Sequence, residues 1–138
     1  MGIRDSIPEP LRRTFSGTNA VHAATEAARR FAGGLGLGAT EASHLAIVVE
    51  ELVTNYYEHS GAGADDTIAL ELSRRDQELV LTLIYSGPPF DPRSAPIDGT
   101  VPARGGGAGL KLVRSWASGI DYHQTGGLNR LTVRLPLS

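Results

Sequence analysis

The sequence predicts an α+β fold: a two-layer sandwich with a mostly antiparallel mixed sheet and helices on one face. Three observations carry this. Leu45, Val48, Val49, Leu52 and Tyr56 recur at the spacing of one buried helical stripe. Two alternating aliphatic runs, TIALELSRR and ELVLTLIYSG, meet across the polar turn Arg75-Asp76-Gln77. The element order strand-helix-helix-strand-strand-loop-helix-strand-strand mixes hairpins with helices, where a parallel fold would alternate them strictly.

Taken in order, the segment RRTFSG reads as a short edge strand. TNAVHAATEAARRFAGGLGL follows as a helix, capped by Thr18 or Asn19, filled with alanines and ended by Gly33-Gly34. The second helix runs from about Glu41 to Ser60, with Thr40 as its cap. The hairpin described above comes next. Gly87 to Gly107 carries five prolines and no periodicity, a loop of about 20 residues and longer than compact domains usually hold without a role as a lid. AGLKLVRSWASG then gives a short helix with Leu110, Val113 and Trp116 on one side, and GIDYHQTGGLNRLTVRLPL gives two strands around Gly126-Gly127. No repeat or linker divides the chain, so the 138 residues read as one domain over 12–138 behind a tail of 1–11.

Composition removes several function classes. With 13 basic and 15 acidic residues the chain lacks the electrostatic footprint of a nucleic-acid or anionic-membrane binder. The absence of cysteine excludes disulfides, thiol catalysis and cysteine-held metals. No apolar run reaches the roughly 20 residues of a spanning helix, and MGIRDSIPEPLRRTF lacks the apolar centre of a signal peptide, so a cytoplasmic location is expected. His22, His44, His59 and His123 have no metal-ligand spacing.

Two constellations carry chemistry. On the second helix Glu51, Asn55 and His59 stand four apart, on a line adjoining the apolar stripe. A carboxylate stacked on a carboxamide can orient a hydroxyl and offer one oxygen to Mg²⁺, a hard ion that takes only one or two protein oxygens. The same line can equally be a second solvated stripe; Glu50, Thr54 and Glu58 read as the solvated face proper. The second constellation is ARGGGAGLKLV, residues 103–113, a glycine run entering a helix. Such a start brings backbone N–H groups to phosphate oxygens, though glycines there also serve as a hinge, and neither a P-loop ending nor a dinucleotide-fold strand accompanies it.

Read together, EELVTN, EH, GPPFDP, GAGLKLV and NRLTV fall in an order that resembles the GHKL ATPase superfamily, and most closely its anti-sigma-factor serine/threonine protein kinases, over about residues 12–137. The resemblance implies a histidine-kinase-like ATPase fold binding ATP and Mg²⁺. It implies Glu51 as the general base, Asn55 as the Mg²⁺ ligand and His59 near the phosphates. Arg104, Gly105, Gly107, Ala108, Gly109 and Leu110 would form the lid side of the triphosphate site, and Tyr85, Ser86 and Gly87 the base side. The implied partners are a sigma factor, an anti-anti-sigma-type protein or both, with a homodimer as a further assembly.

The chain departs from that pattern at one place. The family carries Asp-x-Gly at the end of the hairpin, its carboxylate accepting from the adenine amine; here the residues are Tyr85-Ser86-Gly87. A neutral phenol is bulkier and a weaker acceptor, a loss of about 1.5 to 3 kcal/mol. Either Tyr85 plugs the base pocket with a packed ring, leaving a protein-binding module poor in nucleotide, or Ser86 or a bridging water reads the base instead. Asp91, among the prolines of GPPFDP, lies too far out in the loop to substitute.

Overall fold

The computed structural model describes residues 9–63, 65–91 and 106–137, with the backbone alone for 106–110. The element order is β1 (Leu11–Phe15), α1 (Ala20–Gly34), α2 (Ala39–His59), β2 (Ile68–Arg75), β3 (Glu78–Ser86), α3 (Gly106–Trp116), β4 (Gly119–Thr125) and β5 (Leu128–Pro136). The strands form one sheet in the order β1-β2-β3-β5-β4. All four pairings are antiparallel, so the expected mixed component is absent from the described sheet. Hairpins supply two of these pairings. In the β4–β5 turn Gly126 and Gly127 have φ of 61° and 80°, the two successive positive values a tight hairpin of this twist requires and a β-carbon would penalise.

Strand alternation divides the sheet into two chemically different faces. Leu70 and Leu72 of β2, Leu81 and Leu83 of β3, and Leu131 and Val133 of β5 are buried, each at most 1% exposed, and share one core with the α2 stripe. Truncating one of them to alanine would cost about 2 to 5 kcal/mol. Arg12, Glu71, Arg75, Glu78, Thr82, Arg130 and Arg134 stand on the opposite face, lining a broad groove that no helix of the described residues covers. The helices therefore lie on one side, as the sequence predicts.

Helix α1 packs on α2 through a row of small residues. Ala20, Ala24, Ala27, Ala28 and Ala32 are all buried, and methyl side chains let the two backbones come close. Asn19 occupies the cap position of α1 without bonding through its side chain. At α2 the cap is Gly38, in extended backbone, and Thr40 is already helical; the helix begins two residues before the expected Glu41. Glycine serves there because the extended cap conformation needs no side chain, and no side-chain cap bond forms.

Helix α3 is held to α2 by Val113, 1% exposed, and by Trp116, whose indole stacks on the imidazole of His44 at 3.7 Å between centroids and 9° between planes. Leu110, expected on that side, belongs to the turn described by backbone alone, whereas Leu112 is exposed.

Candidate functional site

The second half of α2 is more enclosed than a one-stripe helix should be. Leu52, Val53, Thr54, Asn55 and Tyr56 are all buried, so this stretch is covered all round. Thr54, expected on the solvated face, is 7% exposed, while its companions Glu50 and Glu58 are half-buried and exposed.

The line Glu51-Asn55-His59 is brought only partly inward. Asn55 is 4% exposed, Glu51 is half-buried, and His59 is exposed at the helix end, its Nε2 4.0 Å from Glu58. Steps of four residues advance about 40° beyond a full turn each, so the line rotates by roughly 80° from Glu51 to His59 and leaves the buried arc. His59 therefore does not face into the enclosed region as expected. The carboxamide of Asn55 is notable in the opposite sense: its Nδ2 is buried and has no hydrogen-bond partner among the described residues. Such a group costs about 1 to 3 kcal/mol unless something outside the fold satisfies it.

Beyond Asn55, the end of α2, the loop to β2 and the end of β3 wall an open cavity of about 390 Å³, a volume within the usual range for small-molecule sites. Tyr56, Tyr85 and Phe90 give it aromatic walls, and Ser60, Asp66 and Ser86 give it polar ones. The Tyr56 and Tyr85 rings pack at 4.8 Å, tilted by 51°. Burial first, then the negative charge of Asp66, pushes the Tyr56 phenol up to about 12. Burial, with Tyr122, Asp91 and Tyr56 adding to it, raises Tyr85 further still. Both phenols are neutral at physiological pH.

Tyr85 is 2% exposed on the inner face of β3, and its hydroxyl donates to the carbonyl of Phe90 at 2.6 Å. Ser86, one residue on, is exposed on the other face. The segment that departs from β3 is pinned rather than loose. The Phe90 N–H donates to Tyr122 Oη at 3.0 Å and to Asn129 Oδ1 at 3.2 Å. Asn129, fully buried in β5, donates through Nδ2 to the carbonyls of Tyr85, Gly87 and Pro88 at 3.2 to 3.3 Å, and its Oδ1 also accepts from the Tyr122 hydroxyl. Gly87 to Phe90, expected to open the long loop, is thus folded back across the sheet end. Asp91 follows directly on this pinned segment, half-buried, and not far out among prolines.

Arg104 and Gly105, together with the rest of the expected lid from 92 onward, lie outside the described residues. Gly107, Ala108, Gly109 and Leu110 fall in the first turn of α3, described by backbone alone. The contributors not picked out from the sequence include Tyr56 as a cavity wall, Ser60, Asp66, Phe90, Tyr122 and Asn129. Tyr122 had a readable signal, since strand alternation sets it on the inward face of β4 opposite Leu131. Asn129 likewise is a polar side chain at an inward position of an aliphatic strand. Among the described residues no group of three or more His, Asp or Glu side chains gathers as a metal site.

A five-stranded antiparallel sheet with three helices on one face, the second of which buries Asn55 and walls an aromatic cavity through Tyr56 and Ser60, with Asn55 and Glu51 outside that lining, defines the class of the histidine-kinase-like ATPase fold. The family model described as the histidine kinase-like ATPase domain matches residues 16–135, and the chain belongs to that family. Among solved structures, the RsbU and RsbW domains of a Mycobacterium tuberculosis protein are similar at a TM-score of 0.65 and 18% identity, over 94% of this chain and 33% of that one. The chain thus spans a third of that protein's length. The SiaB–SiaC complex of Pseudomonas aeruginosa includes a chain similar at a TM-score of 0.65 and 15% identity, over 97% of this chain and 92% of that one. No curated protein matches by sequence. No helix of the described residues is long and apolar enough to cross a membrane.

Proposed function

We propose that the protein is an ATP-binding regulatory serine/threonine protein kinase of the anti-sigma-factor type, acting on a partner protein in a partner-switching pathway. The observation that carries this reading is the buried Nδ2 of Asn55, without a hydrogen-bond partner among the described residues and one helical turn from the half-buried Glu51. An enclosed amide with an unmet donor in the interior of a helix is the mark of a group kept for a ligand. Amide oxygen and nitrogen are interchangeable by a half-turn of the side chain, so the same enclosed end can offer Oδ1 to a hard cation. Asn55 would hold Mg²⁺, which when bound supplies charge neutralisation along the triphosphate. Glu51 would accept the proton of a partner's serine hydroxyl at its carboxylate, and the first turn of α3 would receive the phosphates on its N–H groups.

The names of the similar structures support a partner-switching role: one contains an RsbW domain with an RsbU domain, the other a SiaB–SiaC complex. A partner of the anti-anti-sigma type, a sigma factor or a second copy of the chain fits this reading, in the cytoplasm. Calorimetric titration of ATP with and without Mg²⁺, on wild type and Asn55→Ala, tests it. Mg²⁺-dependent binding that Asn55→Ala abolishes is expected, and binding indifferent to both would overturn the mechanism.

A second reading is favoured by one observation, the Tyr85 hydroxyl committed to Phe90 within the base-side cavity. On this reading the fold is a protein-binding module with little nucleotide affinity. It expects no heat from ATP at millimolar concentration with Mg²⁺ present.

A further inference from the structure

The cavity between α2 and the end of β3 needs a polar reader if it takes a base, and the expected candidates are occupied or unselective. The Tyr85 proton is given to Phe90. Ser60 donates to the Tyr56 carbonyl at 2.5 Å and accepts from the Ala62 N–H at 3.1 Å. Ser86 lines the cavity from the end of β3, but a hydroxyl both donates and accepts, so it does not tell an amino edge from a keto edge. Asp66 differs from all three. It is a carboxylate lining the cavity, and three bonds fix its place in the α2–β2 loop: Oδ2 accepts from the Gly63 N–H at 2.8 Å, its own N–H donates to Gly63 at 3.1 Å, and its carbonyl accepts from the Tyr57 hydroxyl at 2.8 Å. Its Oδ1 has no partner among the described residues. Its negative charge, after burial, also raises the Tyr56 phenol, consistent with its place in the cavity lining beside Tyr56.

We infer that Asp66 is the specificity-determining residue of this cavity, its Oδ1 accepting a hydrogen bond from the exocyclic amine of a flat heterocycle packed on Tyr56 and Tyr85. The acceptor that the hairpin end lacks at Tyr85 is thereby supplied from the loop after α2. A carboxylate accepts and does not donate, so it favours an amino edge, as in adenine, over a keto edge, as in hypoxanthine. The backbone bonds around Gly63 pre-position the group, and a fixed acceptor discriminates better than a mobile one.

This inference rests on the nucleotide reading, and the experiment separates the two. ADP and IDP, which differ at that edge by an amine against a carbonyl, are titrated calorimetrically with Mg²⁺ into wild type, Asp66→Asn and Asp66→Ala, with thermal melts to establish that each is folded. Wild type is expected to favour ADP by about tenfold to a hundredfold, the range for one charge-assisted hydrogen bond. In Asp66→Asn the single amide oxygen keeps the Gly63 N–H and the NH₂ turns to the ligand, so the preference should vanish or reverse toward IDP. Asp66→Ala should bring the two ligands to parity. Folded variants that keep the wild-type preference, or a wild type that binds both ligands equally, overturn the assignment to Asp66 and leave nucleotide binding standing. A wild type that binds neither ligand overturns both.

Discussion

The hydroxyl of Tyr85 and the carbonyl of Phe90 are joined at 2.6 Å, five residues apart in the chain, closing the turn that leaves β3 back over the tyrosine ring. This bond decides what the departure from the family pattern means physically. A carboxylate at that position would need a polar partner in a nearly sealed environment; the phenol brings a ring for the core and finds its partner in the backbone.

Tyr85→Phe should therefore be a clean deletion of one bond. The ring remains against Tyr56 and the carbonyl of half-buried Phe90 loses its donor, a cost of about 1 to 2 kcal/mol. Urea denaturation should show a lower midpoint with an unchanged slope; no change in midpoint would mean that the Phe90 carbonyl is satisfied by water instead.

Asn129→Ala should cost more, about 3 kcal/mol, because it strips one fully buried side chain that meets Tyr85, Gly87, Pro88, Phe90 and Tyr122. The expected mark is loss of amide exchange protection at Phe90 along with the lower global stability. A variant as stable as wild type would show the network to be incidental.

Alkaline pH supplies a third test. Tyr56 and Tyr85 titrate higher in the folded protein than in the unfolded chain, where tyrosine ionises near 10. Between these values the unfolded chain has lost protons that the folded protein keeps, so stability falls as pH rises. It is complete below pH 10 and declines above it by about 1.4 kcal/mol per pH unit for each phenol. Tyr85→Phe should shallow this decline, measured as unfolding midpoint against pH from 9 to 12, and an equal slope in both proteins would contradict the burial argument.

How far the fold could be read in advance depended on the range of the interaction involved. The α2 stripe from Leu45 to Tyr56 and the Gly126-Gly127 turn were legible because a repeat of 3.6 residues and two adjacent glycines are local signals. The purely antiparallel sheet was not, since pairing β3 with β5 joins Glu78 to Pro136 and no local pattern states strand direction. The spacing from Glu51 turns Asn55 inward, and the structure buries it, but the same spacing misplaces His59, because a line four residues apart drifts around the helix. Thr54 was misread for a related reason: one helical stripe does not reveal that the next turn is enclosed on every side. Asp66 left no trace beyond a polar stretch, GAGADD, in which turn formers and ligand-facing acids look alike.

The unmet Nδ2 of Asn55 leads to a prediction in which stability and function move in opposite directions. Asn55→Leu replaces a buried amide whose Nδ2 has no partner among the described residues by an apolar group of similar shape, in a stretch of α2 where Leu52, Val53 and Tyr56 are also buried. Removing an unsatisfied donor and adding apolar contact should stabilise the ligand-free protein by about 1 kcal/mol, seen as a melting temperature about 4 °C higher. The same substitution deletes the one side chain proposed to hold Mg²⁺, so Mg²⁺-dependent binding of ATP should fall below detection. Natural proteins tolerate such a strained polar group where function requires it, and its removal separates the two pressures. Melting curves and ATP titrations on the same preparations check both halves. A destabilised Asn55→Leu would mean that the amide is satisfied within the fold, and with that the main support for a ligand at Asn55 would be gone.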